Sequence, residues 1–513
     1  MKIRRVIHGA ATLGASLVFV ELVGPGCGDD TGVVPDAAIT ADAPLLFQDG
    51  PAVDSVASLL DTLPEDGGAF ALDATHSDGN ANADGNTAPP ACTSLVNPVF
   101  ILTGDVHVPL FRQVGKMLRG RPDPTTLVWV TTDACAMVST VYAGDRITPN
   151  GSYIPADPAW DATTGSLPTC TMPAGGVPAD LAAFCGDPSL CGAGETPAGL
   201  KLVTGPVQSF IYIVPAASTA TAISAEEAYF VFGFGESGGV DPWNNPAFYF
   251  IRNPTAGVQI VLGLAIGVPA AKWQGQRLKG MAADASSVAT SVAPDQTIGI
   301  LGTETYDSAA NRAVLKSLAF QAYGQNLGYL PDSQAYTFDK RNVRDGHYVA
   351  STHVYYLMAA DALGTPSNPR AKALVDLFTD GPGAASAGID SIALVANNGL
   401  VPDCAMTVRR PAEGADLSSF APSDLCGCAF EAAVAKAPPA CVACTADGEC
   451  VGARCMHGYC EAADGRTSLS DCSPPGADYA SILNSPCEGR FTSPKRPMPK
   501  LQQDNGGTLP PLP

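Results

Sequence analysis

"FILTGDVHVPLF", residues 100–111, is the stretch that decides the fold. Phe100 to Leu102 read as a buried strand and Gly104 as a turn. From Val108 a helix begins, with apolar Val108, Leu110, Phe111, Val114 and Leu118 at helical spacing. A strand–Gly–helix junction of this kind is where many α/β proteins hold an anion on the free N–H groups of a helix N-terminus. Here, however, the turn carries Asp105 and Val106. A carboxylate and an isopropyl group are poor company for an anion.

The same alternation continues along the chain. "TTLVWVTTD" (125–133) predicts a strand and "ACAMVSTVYAG" (134–144) a helix. "QSFIYIVP" (208–215) predicts a buried strand, and "SAEEAYFVFG" (224–233) a helix with Ser224 as its N-cap. "PAFYFIRN" (246–253), "GVQIVLGLAIG" (257–267) and "QTIGILG" (296–302) predict strand, helix and strand, followed by a helix over "RAVLKSLAF" (312–320). "HYVASTHVYYLMA" (347–359) reads as an extended return segment. Strands alternating with helices point to α/β architecture with mostly parallel sheets. Residues 144–200, punctuated by Cys170, Cys185 and Cys191, read as an irregular insertion.

Composition narrows the setting. A net charge of −21 without a dense basic patch argues against nucleic acid as a partner. Sixteen cysteines exceed what a reducing cytosol favours, and most sit at spacings typical of secreted disulfide modules. Lys2, Arg4 and Arg5 precede an apolar run at residues 10–20, too short to span a bilayer and of signal-peptide length. "LVGPGCGDD" (22–30) then resembles a lipoprotein cleavage site in which Cys27 is acylated; the alternative is plain secretion with Cys27 an ordinary thiol. The expected location is the cell envelope, with the membrane touched through the lipid anchor only. Residues 28–92 contain no Lys or Arg and no sustained periodicity, and predict a disordered acidic linker.

Several stretches, in order, resemble the phosphate-binding (PstS-like) substrate-binding proteins of ABC transporters. They are "LTGDVHVPLF", the crossing strand "GPVQSFIYIVPAAS", "ISAEEAYFVFGFG" with the later "DPWNNP", "FIRNPTAGVQ", "QTIGILG" and "DGHYVASTHVYYL". The resemblance spans roughly residues 97–400. It implies a two-lobed type 2 periplasmic binding protein-like fold: lobe one over 93–205, lobe two over 206–330 and a return to lobe one over 331–402. A small disulfide-rich module at 403–490 and a disordered Pro-rich tail at 491–513 are appended. The resemblance also implies a small-molecule ligand in the cleft and an ABC permease or a sensor as partner, with no catalysis, cofactor or metal. Its oxyanion site would fall on Thr103, Gly104, Asp105, Thr132 and Asp133 from lobe one, with Arg252, Asn253, Thr255 and Gly257 from lobe two.

The donors themselves depart from the family pattern. Asp105 and Val106 stand where hydroxyls are usual, Asp133-Ala134 replaces a Gly-Ser pair, and Pro254, Ala256 and Val258 thin out the donors around Gly257. Each hydroxyl bond to a buried oxyanion is worth about 1.5–3 kcal/mol, so tight phosphate binding is not expected. Two readings remain for the carboxylates. Asp105 and Asp133 cap their own helices, or they occupy the anion positions with Arg252 as counter-ion, leaving a cleft that is self-satisfied or suited to a cationic, zwitterionic or neutral ligand. The function read from the sequence is therefore an exported solute-binding lipoprotein. The alternative is an envelope interaction protein that reuses the fold without transport.

Other candidates are weaker. His107 is expected exposed on the first helical turn. Lys340, Arg341 and Arg344 read as a solvated hinge segment pairing with acids, or as a basic rim steering anions. Cys441, Cys444 and His457 have zinc-like spacing, but export and the regular "C-x4-C-x4-C" run favour disulfides. No Gly-x-Ser-x-Gly, His-Glu-x-x-His or P-loop motif occurs.

Overall fold

β1 (Pro98–Thr103) alternates in the way a doubly covered strand must: Val99 and Ile101 enter one apolar layer, Phe100 and Leu102 the other. The computed structural model describes residues 88–379, 388–434, 441–462, 479–485, 492–493 and 495–513. The leader, Cys27, the linker to residue 87, Cys472 and Cys487 lie outside the described residues.

After β1, helix α1 (Val108–Arg119) lays Leu110, Phe111 and Val114 on the Val99/Ile101 face. β2 (Thr126–Thr131) and α2 (Ala134–Ala143) follow, and α2 ends at Gly144 in the left-handed conformation. Then come β3 (Gly151–Tyr153), β4 (Thr169–Cys170) and β5 (Leu181–Cys185). β1 runs parallel to both β2 and β5. Residues 144–200 are thus no mere insertion: β5, with five buried residues, is a central strand of the first lobe.

β6 (Leu200–Pro215) joins the lobes. Residues 200–209 pair antiparallel with the return strand Ser351–Ala359, whereas residues 210–213 pair with the second-lobe strand Ile298–Gly302. The second lobe contains β7 (Ala222–Ser224), α3 (Ala225–Phe234), β8 (Tyr249–Ile251) and α4 (Gly257–Ile266). It continues with β9 (Gln276–Arg277), α5 (Met281–Ala289) and β10 (Ile298–Gly302). The resulting strand order is β4–β3–β2–β1–β5–return strand–β6–β10–β8–β9. The chain crosses once on β6 and comes back on the return strand, which gives the two-lobed α/β arrangement expected from the sequence.

Three local expectations change. Residues 312–320 are not one helix. Ala309–Val314 is helical, then Leu315–Ser317 pairs with β6 and Ala319–Gln321 with β7, because strand pairing buries Leu315, Ala319 and Phe320. The linker ends earlier than residue 92: Ala91 bridges to Thr171, and buried Cys92 is disulfide-bonded to Cys170. The C-terminal stretch, expected disordered, packs on the second lobe. Thr492–Ser493 pairs with Gly328–Tyr329, Lys500–Asp504 is helical, and Leu501, Leu509 and Leu512 pack against the core.

Lys340, Arg341 and Arg344 are neither solvated nor a rim. Lys340 is buried between Asp307 (2.7 Å) and Asp332 (2.9 Å). Arg341 and Arg344 both reach Glu431 on the helix Gly427–Val434, tying the Cys-rich module to the α/β body. Six disulfides are present among the described residues, four of them in or beside that module: Cys404–Cys426, Cys428–Cys441, Cys444–Cys455 and Cys450–Cys460. Cys441 and Cys444 therefore belong to different disulfides, and His457 pairs with Asp424 rather than with a metal-type cluster.

Candidate functional site

The expected cleft forms where β1, β2 and β5 end and where α4 and α5 begin. Gly257, at the start of α4, lies so close to the end of β5 that a Cβ there would sit 3.0 Å from both Cβ and the carbonyl oxygen of Cys185. Glycine thus permits the helix N-terminus to approach the opposite lobe.

Arg252, at the end of β8, occupies the centre and is 5% exposed. Its Nη1 lies 3.5 Å from Asp105 Oδ2 and 3.4 Å from Asp284 Oδ2, and its Nη2 lies 4.0 Å from Asp133 Oδ1. Its backbone N–H donates to Gln259 Oε1 (2.8 Å). The two lobe-one carboxylates do more than face the guanidinium. Asp105 Oδ2 accepts the Met281 N–H (2.5 Å), so it sits at the N-terminus of α5, where Gly280 has a left-handed φ of 89°. Asp133 Oδ2 accepts from Asn253 Nδ2 and Thr255 Oγ1, both at 3.1 Å, and the Cys135 N–H donates to the Thr255 carbonyl.

Neither aspartate caps its own helix: Asp105 opens a short 3-10 turn, and Asp133, although in the N-cap position of α2, makes no side-chain cap bond. Both reach across to the second lobe. Carboxylate oxygens thus engage Arg252, the N-terminus of α5 and the Asn253/Thr255 pair.

Of the other residues expected here, Gly104, Thr132 and Gly257 line the same cleft. Thr103 is buried behind it, its hydroxyl donating to the Gly104 carbonyl (3.2 Å). Three contributors were not legible in the sequence. Asp284, on the small-residue helix α5, is fully buried, and burial pushes its carboxyl up to about 8 although Arg252 opposes the shift. Met281 supplies the capped N–H. Gln259 holds the Arg252 backbone.

His107 is the clearest reversal. It is buried, not exposed, and burial lowers its imidazole to about 4. Its Nε2 lies 3.5 Å from the sulfur of Cys185, the one free cysteine among the described residues. The Cys185 thiol donates to Gln208 Oε1 (2.6 Å), and Gln208 Nε2 donates to Glu304 Oε2 (2.6 Å). Burial raises the thiol well above its ordinary range and lifts Glu304 to about 7. A neutral imidazole beside a protonated thiol is the opposite of the thiolate–imidazolium pair that nucleophilic catalysis requires.

Between these groups remains a cavity of about 30 Å³, large enough to admit water. The arrangement can hold the lobes together and can repel an anion from Arg252.

No protein-family model matches the chain, and no curated protein matches it in sequence. Among solved structures the chain is similar to a phosphate ABC transporter substrate-binding protein with bound phosphate from Clostridium perfringens. The identity is 11% over 60% of this chain and 99% of that one, with a TM-score of 0.40. It is also similar to an ABC-type phosphate transport receptor from Vibrio cholerae, at 13% identity over 59% and 99% of the two chains and a TM-score of 0.36. A third is PstS from Borrelia burgdorferi, at 10% identity over 60% and 98% and a TM-score of 0.32. At such identities the likeness concerns fold alone, and the fold description here rests on the strand order and the double crossing.

Proposed function

We propose that this chain is an exported, lipid-anchored, non-catalytic protein of the solute-binding fold whose oxyanion subsite is filled by its own carboxylates. In this reading it serves in the cell envelope as an interaction protein rather than as a carrier of phosphate to an ABC permease. The observation that carries the reading is the engagement of Arg252 by Asp105, Asp133 and Asp284. An incoming oxyanion would meet three carboxyl groups at the only cation in the cleft lining, and it would have to displace Asp105 from the α5 N-terminus. Carriers work by lobe opening and closure around a solute. Lobes already latched by their own side chains have little use for that solute.

Two further features support export: six disulfides among the described residues, which persist in oxidising compartments, and the basic, apolar and Cys27 elements of the expected leader. The acidic character of the cleft favours one second reading, a carrier for a cationic solute.

Native mass spectrometry of the protein released from its own cell envelope tests the proposal. The expected species begins at an acylated Cys27 and carries no phosphate. A phosphate adduct that survives buffer exchange, or a mature chain without lipid, would contradict it.

A further inference from the structure

The cavity between the latch and the sheet ends has an unusual lining. Besides Asp105 and Arg252 it is faced by His107 from the turn after β1, Cys185 from the end of β5, Met137 from α2 and Met281 from α5. Residues bearing one imidazole, one thiol and two thioethers, each from a different element, line this one cavity. All four residues are buried.

We propose that this cavity is a binding site for one soft monovalent metal ion of the Cu(I)/Ag(I) class, held by Cys185 and His107 with Met137 and Met281 closing the site. Sulfur and imidazole donors select soft ions, whereas hard cations require oxygen cages. The geometry fits. Ligands at about 2.3 Å (sulfur) and about 2.1 Å (nitrogen) from one tetrahedral ion lie about 3.6 Å apart. Cys185 Sγ and His107 Nε2 are 3.5 Å apart.

The charge fits as well. The ion replaces the Cys185 thiol proton, which leaves to solvent, and the thiolate–metal pair that forms is neutral. No net charge is added to these buried side chains, whereas a divalent ion would leave an extra positive charge to be compensated. The inference shares the closed cleft with the function proposed above, but it does not depend on whether phosphate is excluded.

The test uses the full chain with its disulfides intact and Ag(I) as a probe that needs no reductant, titrated in competition with a chromogenic chelator. One Ag(I) per chain is expected. Affinity should fall by about 100-fold in Cys185→Ser and by at least about 10-fold in the conservative Met137→Leu/Met281→Leu variant, whose apolar packing is kept. Equal stoichiometry and affinity in either variant would overturn the proposal, as would no binding by the unaltered chain tighter than micromolar. A chain that bound both Ag(I) and phosphate would overturn the function proposed above and leave this site standing.

Discussion

The carboxylate of Asp105 caps a helix in the other lobe: its Oδ2 accepts the Met281 N–H at the start of α5, 176 residues away in sequence. The same oxygen lies 3.5 Å from Arg252 Nη1. One side chain of the first lobe thus satisfies a helix N-terminus and a guanidinium of the second. Asp105→Ala should cost about 1–2 kcal/mol, the value of a lost cap plus a weakened charge contact, measured by urea unfolding. A change below about 0.3 kcal/mol would mean that the latch does not form in solution.

Arg252→Met should be more damaging. It leaves buried Asp284 and the partly exposed Asp105 and Asp133 facing one another without a cation; breaking a fully buried ion pair on one side costs about 3–5 kcal/mol, the upper bound for this cluster. Differential scanning calorimetry should show a markedly lowered Tm at neutral pH. A variant as stable as the parent at pH 7 would refute the central role of the cluster.

Stability should fall as pH rises. Burial pushes Asp284 to about 8 and Glu304 to about 7, both above the values of about 3.9 and about 4.3 expected in the unfolded chain. Between those limits the folded chain keeps protons that the unfolded chain has lost. The contribution of each group is therefore complete below pH 4 and is lost as pH rises through 7 and 8. Asp284→Asn keeps the shape and removes one titration. Its stability relative to the parent should increase from pH 5 to pH 9, by at least about 1.4 kcal/mol, the equivalent of a single pKa unit. A pH-independent difference would show that Asp284 ionises normally.

The C-terminal stretch should act as a strap on the second lobe. Arg496 donates to both oxygens of buried Glu227, Tyr229 OH donates to the Pro510 carbonyl, and Lys272 Nζ donates to the Pro513 carbonyl. Arg496→Ala should cost about 1.5–3 kcal/mol. Truncation after residue 494 should expose the apolar surface of α3 that Leu512 covers at Gly233, and so raise binding of a hydrophobic dye. An unchanged dye signal in the truncated chain would contradict the strap.

Local signals were legible in the sequence. The capping box of Ser224 and Glu227 is complete, α4 ends at Gly267 as its pattern requires, and the alternation of β1 places its residues on the two faces. Where local signals were weak, the reading failed. β5 is a five-residue apolar run that looks like part of a Cys-punctuated loop until β1 and the return strand flank it. α5, "MAADASSVA", lacks a clear apolar stripe, so Asp284 could not be placed. His107 was misjudged because the burial of its helical turn is imposed by Cys185 and Gln208, which arrive from distant strands. The departure of Asp105 and Asp133 from the donor pattern was visible. Their partners were not, because Arg252 and Asn253 lie 147 and 120 residues away, respectively, and only the fold brings them together.

The central claim is that these two aspartates stand where an oxyanion would bind. Calorimetric titration of inorganic phosphate into the unaltered chain and into the Asp105→Ser/Asp133→Ser variant tests it most directly. The expected result is no measurable heat for the unaltered chain and saturable binding once hydroxyls replace the carboxylates and Arg252 is released. A sub-micromolar dissociation constant for phosphate in the unaltered chain would contradict it.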